Sequence, residues 1–162
     1  MLVYIVRHGD AELQSKTGCD QDRILTELGH QQARAIGVYL AGCRPMPTQI
    51  ITSPFVRAQQ TAQTITDALS IGIETDDRLG ADRGLTEMLA VLEDQHHQEA
   101  IAIISHMPTV GRLRTLLTEG PTAQASSLHT GEVAVIRIDH EELVAGGTLL
   151  EIYRLKQCPM EE

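Results

Sequence analysis

Tryptophan is absent from this chain, phenylalanine occurs once and tyrosine three times. A platform for stacking nucleobases needs several aromatic faces, so single-stranded nucleic-acid binding lacks its material. Basic residues are also short. Lys and Arg number 13 against 22 Asp and Glu, the formal net charge is −9, and the basic residues form no long run. That leaves no electrostatic footprint for a nucleic-acid backbone. The cysteines are Cys19, Cys43 and Cys158, odd in number and far apart, which suits reduced thiols better than a disulfide framework or a zinc site. No stretch approaches a membrane span, and the apolar opening is too short for a signal peptide and lacks a basic lead-in. A cytoplasmic protein without membrane or nucleic-acid partners is expected.

What the chain does have is regular punctuation. Its 162 residues fit a single domain, 1–162, with one substantial core. Leu2 to Val6 is an unbroken apolar run ending at Arg7-His8-Gly9, and it reads as a buried central strand. Thr26 can cap a helix from about Glu27 to Ala41, with Leu28, Ile36, Tyr39 and Leu40 inward and Gly42 as its stop. Gln49 to Thr52 follows as a short strand. Ser53-Pro54 then reads as an N-cap and first helical residue, opening a helix to Leu69 with Ala58, Ala62, Ile65 and Leu69 inward and Arg57 in its first turn. Ile71 to Glu74 is a short strand, and Thr75 to Gly84 is irregular. Leu85, Met88, Leu89 and Leu92 mark a helix. Ala100 to Ser105 is a second fully apolar strand and also ends on a histidine, His106. A helix over Val110 to Leu117, a loop over Glu119 to Thr130 and paired strands over Glu132 to Ile138 and Thr148 to Leu155 complete the chain. Strands alternating with helices predict an α/β fold: a mostly parallel central sheet with an antiparallel edge strand and helices on both faces.

In such sheets ligands bind at the carboxyl ends of the strands. If the strands before His8 and His106 are neighbours, both imidazoles meet there, and the helix after Ser53 can bring Arg57 to them. Guanidinium forks match phosphate oxygens, Gly9 permits a tight turn beside a ligand, and His8 is the candidate nucleophile.

Three separated segments, Arg7-His8-Gly9, Ser53-Pro54-Phe55-Val56-Arg57-Ala58-Gln59-Gln60-Thr61-Ala62, and His106 at a strand end with Pro108 two residues on, resemble the histidine phosphatase superfamily. The short length, the Arg7-His8-Gly9-Asp10 opening and Ser105-His106-Met107-Pro108 look most like its SixA type, the protein phosphohistidine phosphatases. That resemblance implies a three-layer phosphoglycerate mutase-like fold. It also implies a neutral His8 that attacks phosphorus and forms a phosphohistidine intermediate. Arg7, Arg57 and a protonated His106 would grip the phosphoryl oxygens, the cations would lower the pKa of His8, and neither metal nor cofactor is required. The implied partner is a phosphohistidine-bearing protein, a phosphotransfer or phosphocarrier domain. A small-molecule phosphomonoesterase or mutase of the same superfamily is the alternative, and a phosphoprotein-binding module without catalysis is a third reading.

The proton donor to the leaving group is open. Acid phosphatases of the superfamily carry Asp after the second histidine, where this chain has Met107. Asp10 and Asp82 are candidate general acids as well as candidate solvent-facing residues, and Glu74, Asp76 and Asp77 share the irregular stretch. Phosphohistidine tolerates a missing acid, because its imidazole can leave once the ring is protonated. With no long insertion to form a lid, a shallow, open site is expected. His96-His97 reads as a solvated loop. His30, His129 and His140 stand without a role, although Leu128-His129-Thr130 could border the pocket.

Overall fold

In the computed structural model, which describes residues 1–139 and 142–156, six strands form one sheet. His140 and Cys158 lie outside the described residues. In chain order the strands are β1 (Leu2–Arg7), β2 (Gln49–Thr52), β3 (Gly72–Thr75), β4 (Ala100–Ser105), β5 (Val133–Ile138) and β6 (Gly147–Tyr153), and they lie side by side as β3-β2-β4-β1-β5-β6. β1 runs parallel to β4, and β2 runs parallel to both β3 and β4. β5 is antiparallel to β1 and to β6, so the reversed strand is second from the edge and β6 returns to the common direction.

Both faces are covered by helices. Along β1, Tyr4 and Val6 pack with Ile36 and Leu40 of α1 (Glu27–Gly42) and with Ala58, Ala62 and Ile65 of α2 (Val56–Leu69). Val3 and Ile5 point the other way, to Met88 and Leu92 of α3 (Leu85–Asp94) and Val110, Leu113 and Leu117 of α4 (Thr109–Thr118). Side chains alternate across a strand, and here each side meets a helix layer, so the run has no polar positions. Truncating one of these fully buried Ile or Leu residues to Ala would cost roughly 2–5 kcal/mol.

Three local expectations change. Leu28 is 37% exposed. The inward face of α1 is instead Gly29, Ala33, Ile36, Gly37 and Leu40, because α1 lies too close to α2 for bulk: a Cβ on Gly37 would come within 2.9 Å of the Ala68 Cβ. Second, α2 starts at Val56 with Phe55 as its N-cap. The Ser53 hydroxyl does accept from the Phe55 backbone N–H at 3.2 Å, but Phe55 is extended (φ −68, ψ 138), which delays the helix. Third, Gly9 answers a packing demand. A Cβ there would stand 2.6 Å from the Gly29 carbonyl oxygen, so Gly9 lets the loop after β1 rest directly on α1.

Candidate active site

The β1–β4 register pairs Arg7 with Ser105, so the residue after each strand is a histidine at the same sheet end. The rings of His8 and His106 have centroids 5.0 Å apart and planes inclined by 55°. From the first turn of α2, Arg57 Nε donates to His8 Nε2 at 3.3 Å. Arg7 holds the Leu128 carbonyl through Nη1 at 2.9 Å, and its buried Nε has no partner among the described residues. All four predicted side chains therefore line one cavity of about 220 Å³, together with Asp10 and Arg23. His8, Arg57 and His106 are 6%, 3% and 3% exposed, so the groups of this small cavity are themselves largely buried.

The hydrogen bonds of His8 define its tautomer. Its Nδ1 lies 2.7 Å from the Gly9 carbonyl, an oxygen that can only accept, so Nδ1 carries the proton and Nε2 the lone pair. Arg57 Nε–H, a pure donor, is consistent with that assignment. The Gly9 N–H donates to Thr61 Oγ1 at 3.1 Å, and that hydroxyl donates in turn to the Arg57 carbonyl at 2.8 Å, tying the loop to α2. Burial, ahead of the Arg57, Arg7 and Arg23 charges, pushes His8 from its ordinary 6.5 down to about 4, against the opposing effect of the Gly9 bond. The cations act in the expected direction, but desolvation is the larger cause.

His106 departs from expectation. Burial first, then the His8 and Arg57 charges, lowers it from 6.5 to about 3, so the ring is neutral at pH 7 rather than protonated. Its Nε2 lies 2.7 Å from Ser53 Oγ, and its buried Nδ1 has no partner among the described residues.

A family model, the histidine phosphatase superfamily (branch 1), matches residues 3–87. The chain belongs to the histidine phosphatase superfamily. Among curated relatives it is 31% identical over 143 residues to the phosphohistidine phosphatase SixA of Escherichia coli (strain K12), covering 86% of each chain. It is 30% identical over 127 residues to a SixA homolog of Haemophilus influenzae, covering 70% of this chain and 74% of that one. The structure of the protein histidine phosphatase SixA complexed with tungstate superposes with a TM-score of 0.82 at 28% identity, covering 95% of this chain and 97% of that one.

Within this histidine phosphatase domain the acidic candidates separate. Asp10 lines the cavity, and its Oδ2 takes the Thr26 hydroxyl at 2.7 Å. Asp82 is exposed, one residue beyond the lining residue Ala81. Asp76 is engaged by Arg78 at 2.8 Å, Glu74 by Gln49, and Asp77 is exposed. Thr130 and Met107 line the cavity, so the segment before β5 does border it. Sequence reasoning missed Asp20. Its carboxylate binds Arg57 Nη2 at 3.1 Å and Arg23 Nε at 2.7 Å, and its carbonyl takes Arg57 Nη1 at 2.8 Å. Partial desolvation raises the pKa of Asp20, and the bonds and charges of Arg23 and Arg57 bring it below its ordinary value. The only available signal was its place in a polar loop beside the predicted site.

Proposed function

We propose that this histidine phosphatase removes the phosphoryl group from phosphohistidine on a protein, with His8 as the nucleophile. The observation that carries the reading is the state of His8: neutral, with its proton pinned to the Gly9 carbonyl and its Nε2 lone pair beside Arg57. Nε2 attacks phosphorus, the new N–P bond forms as the bond to the substrate imidazole breaks, and that imidazole leaves as a neutral ring when its other nitrogen is already protonated. Water then attacks phosphorus, the His8 N–P bond breaks, and inorganic phosphate leaves. Arg7, Arg57 and a hydrogen bond from His106 take the equatorial oxygens, where transition-state charge lies, and Gly9 holds the His8 ring in register.

Because the leaving imidazole brings its own proton, neither Asp10 nor Asp82 has to act as general acid. An ester leaving group without such an acid would lose about 10²- to 10⁴-fold in rate, which favours phosphohistidine over phosphomonoesters. The names carried by the SixA relatives support the same substrate class. A phosphotransfer or phosphocarrier domain is the partner we favour, in the cytoplasm. Among the described residues no helix is long and apolar enough to cross a membrane.

The test is a rapid-quench experiment with a phosphohistidine protein carrying labelled phosphate. Transient label on His8, followed by free phosphate, is expected. Label on no residue would favour a binding module, and efficient turnover of small esters with the phosphoprotein untouched would overturn the substrate assignment.

A further inference from the structure

We infer that Ser53 is a positioning residue: it sets which ring nitrogen of His106 carries the proton, so that the neutral imidazole presents an N–H to the phosphoryl group. The inference deepens the proposed phosphatase reading and rests on it for its consequence. Ser53 is fully buried. Its Oγ has two neighbours, the Phe55 backbone N–H at 3.2 Å and His106 Nε2 at 2.7 Å, and no further hydrogen-bond partner among the described residues. The Phe55 amide can only donate, so it occupies an oxygen lone pair. The hydroxyl proton then has one acceptor within reach, His106 Nε2, and a buried hydroxyl is strongly disfavoured without one. Nε2 is therefore the acceptor and Nδ1 carries the ring proton.

The rest of Ser53 is fastened as well. Its carbonyl accepts from Gln59 Nε2 at 3.0 Å and from Thr52 Oγ1 at 3.3 Å, so the hydroxyl is presented from a fixed backbone. His106 lines the cavity, and Nδ1, buried and without a partner among the described residues, is the ring nitrogen left to serve a ligand. Its lowered pKa agrees with a neutral donor. The two histidines thus share a tautomer and use opposite nitrogens, His8 offering the Nε2 lone pair and His106 the Nδ1 proton. The opposite tautomer of His106 would strand the Ser53 proton and aim a lone pair at an anion.

The ¹⁵N chemical shifts of histidine-labelled protein read the tautomer directly, with His106 assigned by the signal lost in His106→Gln. The wild type should show the Nδ1–H form. Ser53→Ala should release it to the Nε2–H form and lower kcat on a phosphohistidine protein by about 10²-fold, the effect of losing one donor to a developing oxyanion, with KM much less affected. Ser53→Thr, which keeps the hydroxyl, should restore both tautomer and kcat. An Nε2–H form in the wild type, or Ser53→Ala with wild-type tautomer and rate, overturns the inference, and the wild-type spectrum decides even if Ser53→Ala does not fold. Because the tautomer is read without substrate, a chain that shows Nδ1–H yet leaves phosphohistidine untouched would lose the phosphatase reading and keep the positioning role.

Discussion

Two hollows open at opposite ends of the sheet, and the larger one is the less suited to phosphate. It has a volume of about 910 Å³ and is walled by Met1, Leu89, Glu93, Ile138, Asp139 and Glu142 among others, where β1 begins and β5 ends. Its charges are mainly carboxylates. Asp139 is paired with Arg137 at 2.9 Å and half exposed, and the Met1 amino group is bonded to the Ile138 carbonyl. The smaller hollow buries two imidazoles and a guanidinium, and leaves Arg7 Nε and His106 Nδ1 without a partner among the described residues. Buried polar nitrogens without a partner are rare in folded proteins and call for an explanation such as a ligand, which volume alone does not.

The largest expected effect tests that contrast directly. His8→Ala should lower kcat/KM on a phosphohistidine protein by on the order of 10⁴-fold or more, the scale of removing a nucleophile from a catalytic unit. Glu93→Gln in the large hollow should leave it unchanged. Comparable losses from both variants in steady-state assays would mean that the two hollows are not functionally distinct.

A second effect is on stability and follows from the depressed pKa values of His8 and His106. Between the unfolded value of 6.5 and the folded values of about 4 and about 3, the unfolded chain binds protons that the folded chain refuses. Stability rises with pH where the unfolded state holds more protons, so these two groups destabilise the fold as pH drops below 6.5 and have no such effect above it. Urea midpoints at pH 7 and pH 5 should differ more for the wild type than for a His8→Asn, His106→Asn double variant. The same logic keeps His8 neutral at pH 5, so a kcat/KM profile whose acid limb near 6.5 was traced to His8 would contradict its burial.

The difference between the hollows was only partly legible in the amino-acid sequence. Arg7, His8 and His106 could be located because each follows an apolar strand, and a strand end is a fixed address in a parallel sheet. Arg57 could be located because a helix start has a local chemical signature, although Phe55 rather than Ser53 proved to be the cap. The state of His106 could not be read, since its pKa is lowered first by burial and its ring contact is Ser53, 53 positions away. Asp20 was hidden for a related reason. Its bond to Arg57 spans 37 positions and starts in a loop with no periodicity to mark which side chains turn inward. The packing demand on Gly9 could not be read, because Gly29, the residue it must clear, lies on α1. A mostly parallel sheet between helix layers was inferable from alternation, whereas the strand order β3-β2-β4-β1-β5-β6 and the contacts between loop and helix had to await the fold.

Asp20 brings a carboxylate to Arg57 and Arg23, two cations that line the small hollow. Arg57 gives Nε to His8 and one N–H from each remaining nitrogen to Asp20. A phosphoryl group arriving at Arg57 must therefore compete with a charge the chain already supplies. The Asp20 side chain is 59% exposed while that of Arg57 is 4% exposed; water on the carboxylate side keeps the pair near the exposed-pair range of about 0.2–1 kcal/mol, so the competition is mild and the carboxylate can turn out to water. Asp20→Asn, which keeps shape and removes charge, should tighten inhibition by inorganic phosphate by about 1.5- to 5-fold, the same free energy expressed as a binding ratio. Weaker inhibition would instead mean that the carboxylate chiefly aims the guanidinium, so that its orienting effect outweighs its repulsion of phosphate.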